Sequence, residues 1–244
     1  MGRFRPIIAA LGRAFGGLLF AAVKPRRFDA ALLLVAMLAA LYAVFIYAPT
    51  EREMGIVQRI YYFHVPSAIS AAIAFLIVFV CSIQYLWQRE ERFDELGQSA
   101  AELGVVFSTI VLITGPIWAK PIWGVYWRWE PRLTTMLILF TMYVAYLMIR
   151  AYGAQTEQTQ RFAAVLGILS FVNVPLVHYS VRLWSPEHQL HPVEVVLDPR
   201  MAQSRQISYL AVFLLFRFLL QRRYALEQMQ RTVARLRQQR EAAN

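Results

Sequence analysis

Runs of about 20 apolar residues recur along this chain, and that is the length one helix needs to cross the roughly 30 Å hydrocarbon core of a bilayer. They fall near 28–48, 65–87, 99–118, 133–150, 161–181 and 207–220. None shows the dyad alternation of a membrane strand, and a helix satisfies its own backbone polar groups within one segment. The expected fold is therefore all-α, a polytopic membrane protein with six transmembrane helices. The last run is the shortest and contains Arg217. It spans if 201–206 extends the helix outward and Arg217 snorkels to the opposite surface. With 58% hydrophobic residues in 244, the chain has room for short loops but for no large soluble domain.

Sidedness follows from the basic residues. Of the 25 lysines and arginines, seventeen lie in the N-terminal segment, the second and fourth connections and the C-terminal end; eight lie on the other side. The positive-inside rule places both termini in the cytoplasm and the first, third and fifth connections outside. Residues 1–27 read as an interfacial segment, because the apolar stretch 14–23 is too short to span and a longer run follows it. Residues 28–220 form the membrane domain, and 221–244 a basic tail. In that tail Leu226, Met229, Val233 and Leu236 recur at spacings of three and four, as on an amphipathic helix that docks a partner or a leaflet, or simply ends in solvent. The net charge of +10 sits beside apolar spans, where anionic headgroups are partner enough, so nucleic acid is not expected. Cys81, the single cysteine, lies in an apolar run and offers packing rather than redox chemistry.

The third connection collects the unusual residues. Trp118, Trp123, Trp127 and Trp129, four of the six tryptophans, fall within it together with Tyr126. Gly124 permits close backbone approach, while Pro121 and Pro131 limit regular helix at its ends. Such crowding is either an interfacial aromatic belt or a platform for a planar apolar ligand. All four histidines, His64, His178, His188 and His191, fall on the same outer side. A single one is ordinarily an interfacial hydrogen-bonding residue. His64 and His178, on separate spans at similar depth, are instead able to approach one metal from opposite sides. Zinc is disfavoured by the absence of a His-Glu-x-x-His or a cysteine pair, and His188 and His191 read as loop residues. No phosphate-binding loop is present, so any ATPase is a separate subunit. The spans carry few charges, Glu102 and Arg217 apart, whereas a transporter places ionisable groups along its path. An oxidoreductase would need a further electron-transfer site, which is not found.

The run Trp123-Gly124-Val125-Tyr126-Trp127-Arg128-Trp129-Glu130-Pro131-Arg132-Leu133-Thr134, preceded by Gly115-Pro116-Ile117-Trp118-Ala119-Lys120-Pro121, resembles the tryptophan-rich signature of haem-handling membrane proteins. Six spans, with the signature between the third and fourth and histidines at 64 and 178, make the haem exporter protein C family the best match. The resemblance implies haem b carried at the periplasmic surface of the bacterial inner membrane. His64 and His178 would be its axial ligands, with Trp118, Trp123, Tyr126, Trp127, Trp129 and Glu130 supporting haem or its acceptor. Arg128 and Arg132 are candidates for pairing the propionates. Implied partners are an ABC-type ATPase, a second membrane subunit, a small single-span subunit and a membrane-anchored periplasmic haem chaperone. The implied role is haem delivery for cytochrome c biogenesis, without catalysis; the alternative is a permease subunit moving haem or another small molecule. The family signature ends in aspartate where this chain has Glu130, one methylene longer.

Overall fold

The computed structural model of the chain describes residues 16–17, 19–154, 156–183 and 197–243. Regular structure among them is helical. Helix α1 (Asp29–Tyr42) passes into a π-helical turn, Ala43–Tyr47, and a 3₁₀ turn, Ile56–Ile60, leads into α2 (Tyr61–Gln88). Then come α3 (Glu91–Trp123), α4 (Pro131–Tyr152), α5 (Glu157–Phe171), α6 (Asn173–Leu183) and α7 (Pro199–Ala243). Five segments are long and apolar enough to cross a membrane: Asp29–Tyr47, Ile56–Gln88, Glu91–Trp123, Pro131–Tyr152 and Glu157–Ser180. The apolar run 207–220 lies within α7, and the tail 221–243 continues the same helix rather than forming a separate one. Outward-facing Leu34, Val35, Ile46 and Leu169 are exposed, the pattern of a surface solvated by lipid. The chain is an all-α, polytopic membrane protein.

Small residues let the helices approach, as expected where lipid tails give no hydrophobic drive for association. Gly104 of α3 sits against the Phe75 ring of α2, and Gly167 of α5 against Ser82 of α2. Phe75 in turn stacks on Tyr143 of α4, with ring centroids 3.7 Å apart. Cys81 is fully buried in this core, as its apolar neighbours in sequence suggest.

Three features differ from the sequence expectation. The connection expected over 115–134 is helical through Trp123, despite Pro116 and Pro121. Neighbouring helices in a membrane tolerate the amides that proline removes, and the helix stops only where Gly124 turns left-handed at φ 74°. The connection proper is 124–130. The fifth span stands as one segment, Glu157–Ser180, but its helix breaks at Val172 between α5 and α6, because Pro175 cannot donate to the Phe171 carbonyl and its ring crowds that group. Arg217 does more than reach for the surface: its Nη1 lies 2.8 Å from Asp29 Oδ1, and its Nε donates to the Ala22 carbonyl at 3.1 Å.

With 45 residues, α7 extends about 67 Å, about twice the thickness of a bilayer core. Its C-terminal part runs antiparallel to the start of α3. Arg223, Glu227, Arg231 and Arg235 recur once per turn on one face. Arg223 Nη2 lies 2.6 Å from Glu102 Oε1, Arg231 Nη2 2.8 Å from Asp94 Oδ2, and Arg235 pairs with Glu91. Asp94 also receives both Nη groups of Arg150 on α4, at 2.5 and 2.6 Å. The ionic face therefore seats the tail, while the apolar stripe of Leu226, Met229, Val233 and Leu236 is exposed.

Candidate functional site

At the opposite end of α3 from this ionic zipper stands the aromatic connection. His64 lies in the first turn of α2 and is buried, 7% exposed. Its Nδ1 is 2.8 Å from Thr114 Oγ1 of α3, and its ring lies edge-on to Trp118, centroids 6.0 Å apart. Gly115 lies next to the ring: a Cβ there would stand 3.5 Å from His64 Cε1, an ordinary contact. Trp118 continues the cluster to Trp123, at 6.4 Å, and to Tyr61, at 6.2 Å. Beneath them lies a small apolar cluster of Val44, Ala48, Tyr62 and Met201, separate from the main core.

The connection itself begins with a capped helix end. Lys120 Nζ donates to the Gly124 carbonyl at 2.9 Å, meeting a carbonyl beyond the helix terminus, and stands 5.1 Å from the Tyr126 ring. Trp127 and Trp129 meet edge to face at 5.6 Å. Tyr126 and Trp129 are 60% and 76% exposed, so the connection presents apolar rings outward rather than packing them away. Arg128 is exposed. Glu130 is buried at the N-cap of α4, with Pro131 in the first turn; there the amide dipoles favour its charge.

His178 stands on α6, exposed, with Tyr179 edge-on at 5.0 Å. Arg132 Nη2 of α4 donates to the His178 carbonyl at 3.3 Å, and Asn173 Nδ2 donates to the Thr135 carbonyl at 2.8 Å. Together they pin α6 to α4 after the break at Val172. Each histidine is thus tied to one arm of the connection, His64 to the arm before it and His178 to the arm after it. His188 and His191 lie outside the described residues.

The donors of this region suit a flat ligand carrying carboxylates. Among the described residues, Trp118 Nε1, Trp127 Nε1 and Thr134 Oγ1 are buried without a protein partner. Indole N–H groups donate only, and buried donors are ordinarily paired. An acceptor from outside the chain is what these three groups lack. Thr114, Gly115 and Tyr61 were not singled out in the sequence. Thr114 stands one turn before Trp118 and so shares its face, the one signal that would have found it.

The family model for Heme exporter protein C matches residues 18–244. A protein of Paracoccus denitrificans named Heme exporter protein C is 34% identical over 193 residues, covering 77% of this chain and 80% of that one. Its namesake in Escherichia coli K12 is 34% identical over 172 residues, 69% of each chain. A Marchantia polymorpha protein named as a putative cytochrome c biosynthesis ccmC-like mitochondrial protein is 30% identical over 178 residues, 72% of this chain and 73% of that one. The chain belongs to the heme exporter protein C family, a multi-pass membrane group within the haem handling of cytochrome c maturation.

Proposed function

We propose that this protein holds haem b at the periplasmic surface of the bacterial inner membrane, between His64 and His178, and hands it to a membrane-anchored periplasmic haem chaperone. Both termini lie in the cytoplasm, α7 supplies the sixth span, and the aromatic connection faces the periplasm. The observation that carries this reading is the buried His64 seated between Thr114 and Trp118, on the same end of the bundle as His178 and the exposed rings of Tyr126 and Trp129.

Haem is cargo here. Trp123, Trp127 and Trp129 offer its rings an apolar floor, and Arg128 and Arg132 are the candidates for charge-assisted pairing with propionates. Glu130 keeps the acidic position of the signature and faces the Arg132 charge. Two histidine ligands leave iron no open position, which suits carriage better than oxygen chemistry. Release to an acceptor requires that coordination be exchangeable. The chain carries no nucleotide-binding loop, so an ABC-type ATPase, with a second membrane subunit and a small single-span subunit, supplies the energy. Hydrolysis frees the loaded chaperone rather than driving haem through this chain.

The test is the absorption spectrum of the purified protein in detergent. A six-coordinate bis-histidine spectrum is expected, lost in His64→Ala and in His178→Ala. Haem retention unchanged in both variants refutes the ligand assignment.

A further inference from the structure

We infer that Thr114 is a positioning residue that sets the tautomer of His64, holding the ring proton on Nδ1 and the lone pair on Nε2. The inference deepens the haem reading above and depends on it only for its functional consequence.

The argument turns on one proton. Thr114 Oγ1 lies 2.6 Å from the Ile110 carbonyl oxygen and 2.8 Å from His64 Nδ1. A carbonyl accepts and never donates, so the single hydroxyl proton is committed to Ile110. Toward His64 the threonine oxygen then presents only lone pairs, and Nδ1 must donate. In a neutral imidazole the other nitrogen, Nε2, is left as the base. Back-bonding of a threonine to the carbonyl four residues earlier is common in apolar helices. Here its consequence is that the hydroxyl meets the imidazole as an acceptor of fixed direction.

The surroundings hold that arrangement. The ring is buried beside Trp118, and the turn of α3 that carries Thr114 also carries Gly115, where even a Cβ would meet His64 Cε1 only at ordinary contact distance. Histidines that bind metal regularly donate their second N–H to an outer acceptor, which fixes ring orientation and raises ligand basicity. On the haem reading above, Nε2 is then the His64 atom that would meet iron.

The experiment uses the full-length protein without haem in lipid nanodiscs, labelled with ¹⁵N and ¹³C histidine, the His64 signals being assigned by their loss in His64→Ala. A hydrogen bond of ordinary strength biases two tautomers by about fivefold to tenfold, so wild type and Thr114→Ser are expected to show the Nδ1–H form in that excess. Thr114→Val, nearly isosteric but unable to accept, is expected to lose the excess. Loaded with haem, Thr114→Val should show a shifted reduction potential that Thr114→Ser restores. A dominant Nε2–H form in the wild type, or an unchanged ratio in a folded Thr114→Val, overturns the inference. If Thr114→Val does not fold, the wild-type and serine ratios decide it alone. Failure of the bis-histidine spectrum would refute the haem reading and leave the tautomer result standing.

Discussion

Asp94 is the residue whose loss the structure expects to be most costly. Its side chain is 3% exposed and faces the Arg150 guanidinium, 5% exposed, while Arg231 closes the pair from α7 at 2.8 Å. Replacing Asp94 by Ala takes the bidentate carboxylate from the buried Arg150, while Gln98 Oε1 still accepts from Arg150 Nε at 2.9 Å and Arg231 keeps Glu227 at 3.0 Å. Removing one partner of a buried ion pair costs about 3–5 kcal/mol, mostly through the charge left behind. For a chain of this size that corresponds to a fall in Tm of about 6–20 °C. Cys81 supplies the assay. It is fully buried and stands beside Gly97, one turn along α3 from Asp94, so a thiol-reactive fluorophore reports unfolding of this very region in detergent. The companion variant Asp94→Leu/Arg150→Met replaces the buried pair, leaves Arg231 on Glu227, and should recover much of the loss, because apolar replacement of a buried ion pair is often close to neutral. An Asp94→Ala transition within error of wild type, or a double variant as damaged as the single one, would refute the reasoning.

The remaining predictions concern packing and the aromatic connection. Gly104→Ala places a Cβ 2.3 Å from Phe75 Cε1, and Phe75 is trapped against Tyr143; a loss of about 3 kcal/mol is expected from overpacking, read by the same Cys81 assay. Gly115→Ala meets His64 Cε1 at an ordinary 3.5 Å and should leave both stability and haem retention within about twofold, a tolerance of the small end of packing changes. Trp123→Ala should impair haem transfer to the chaperone while membrane insertion and the Cys81 transition are unchanged; normal transfer would reduce the connection to an interfacial anchor. Arg132→Ala removes the donor to the His178 carbonyl and should alter the haem spectrum more than it alters the thermal transition, whereas equal effects on both would make Arg132 merely structural.

Much of this was legible because bilayers impose strict lengths. The apolar runs gave the spans to within a few residues at α1, α2 and α4. The aromatic crowding between Trp118 and Trp129 stood out because a belt should have spread over several spans. Glu102 stood out as a charge out of place, and the structure pairs it with Arg223, 121 positions away. That partner was illegible, since nothing local to either residue specifies the antiparallel register of α3 and α7. Pro121 misled, because intrinsic helix preference is measured in water and neighbouring helices override it in lipid. Thr114 was illegible for a different reason. Thr109 and Thr141 bond back to the carbonyls of Val105 and Leu137 just as Thr114 bonds to Ile110, so the three look alike along the chain, and only the arrival of His64 from α2 separates one from the others.

The two ends of α3 therefore treat polar groups in opposite ways, and the contrast has a physical consequence. Around Asp94, Glu102 and Glu227, carboxylates and guanidiniums meet inside the chain, so that end is locked by interactions that water or a ligand would only weaken. Around the connection, among the described residues, Trp118 Nε1, Trp127 Nε1 and Thr134 Oγ1 are buried without a protein acceptor, each at a cost of about 1–3 kcal/mol that a suitable acceptor would relieve. Since α3 is one uninterrupted helix, the rigidity of its zippered end holds Thr114 and Trp118 in register with His64, and the receptive end needs no large rearrangement to accept a disc. If that is right, Asp94→Ala should loosen haem retention as well as lower the thermal transition, whereas Trp129→Ala, at an exposed ring, should affect retention alone. Haem affinity unchanged in a folded Asp94→Ala would show that the two ends of α3 are mechanically independent.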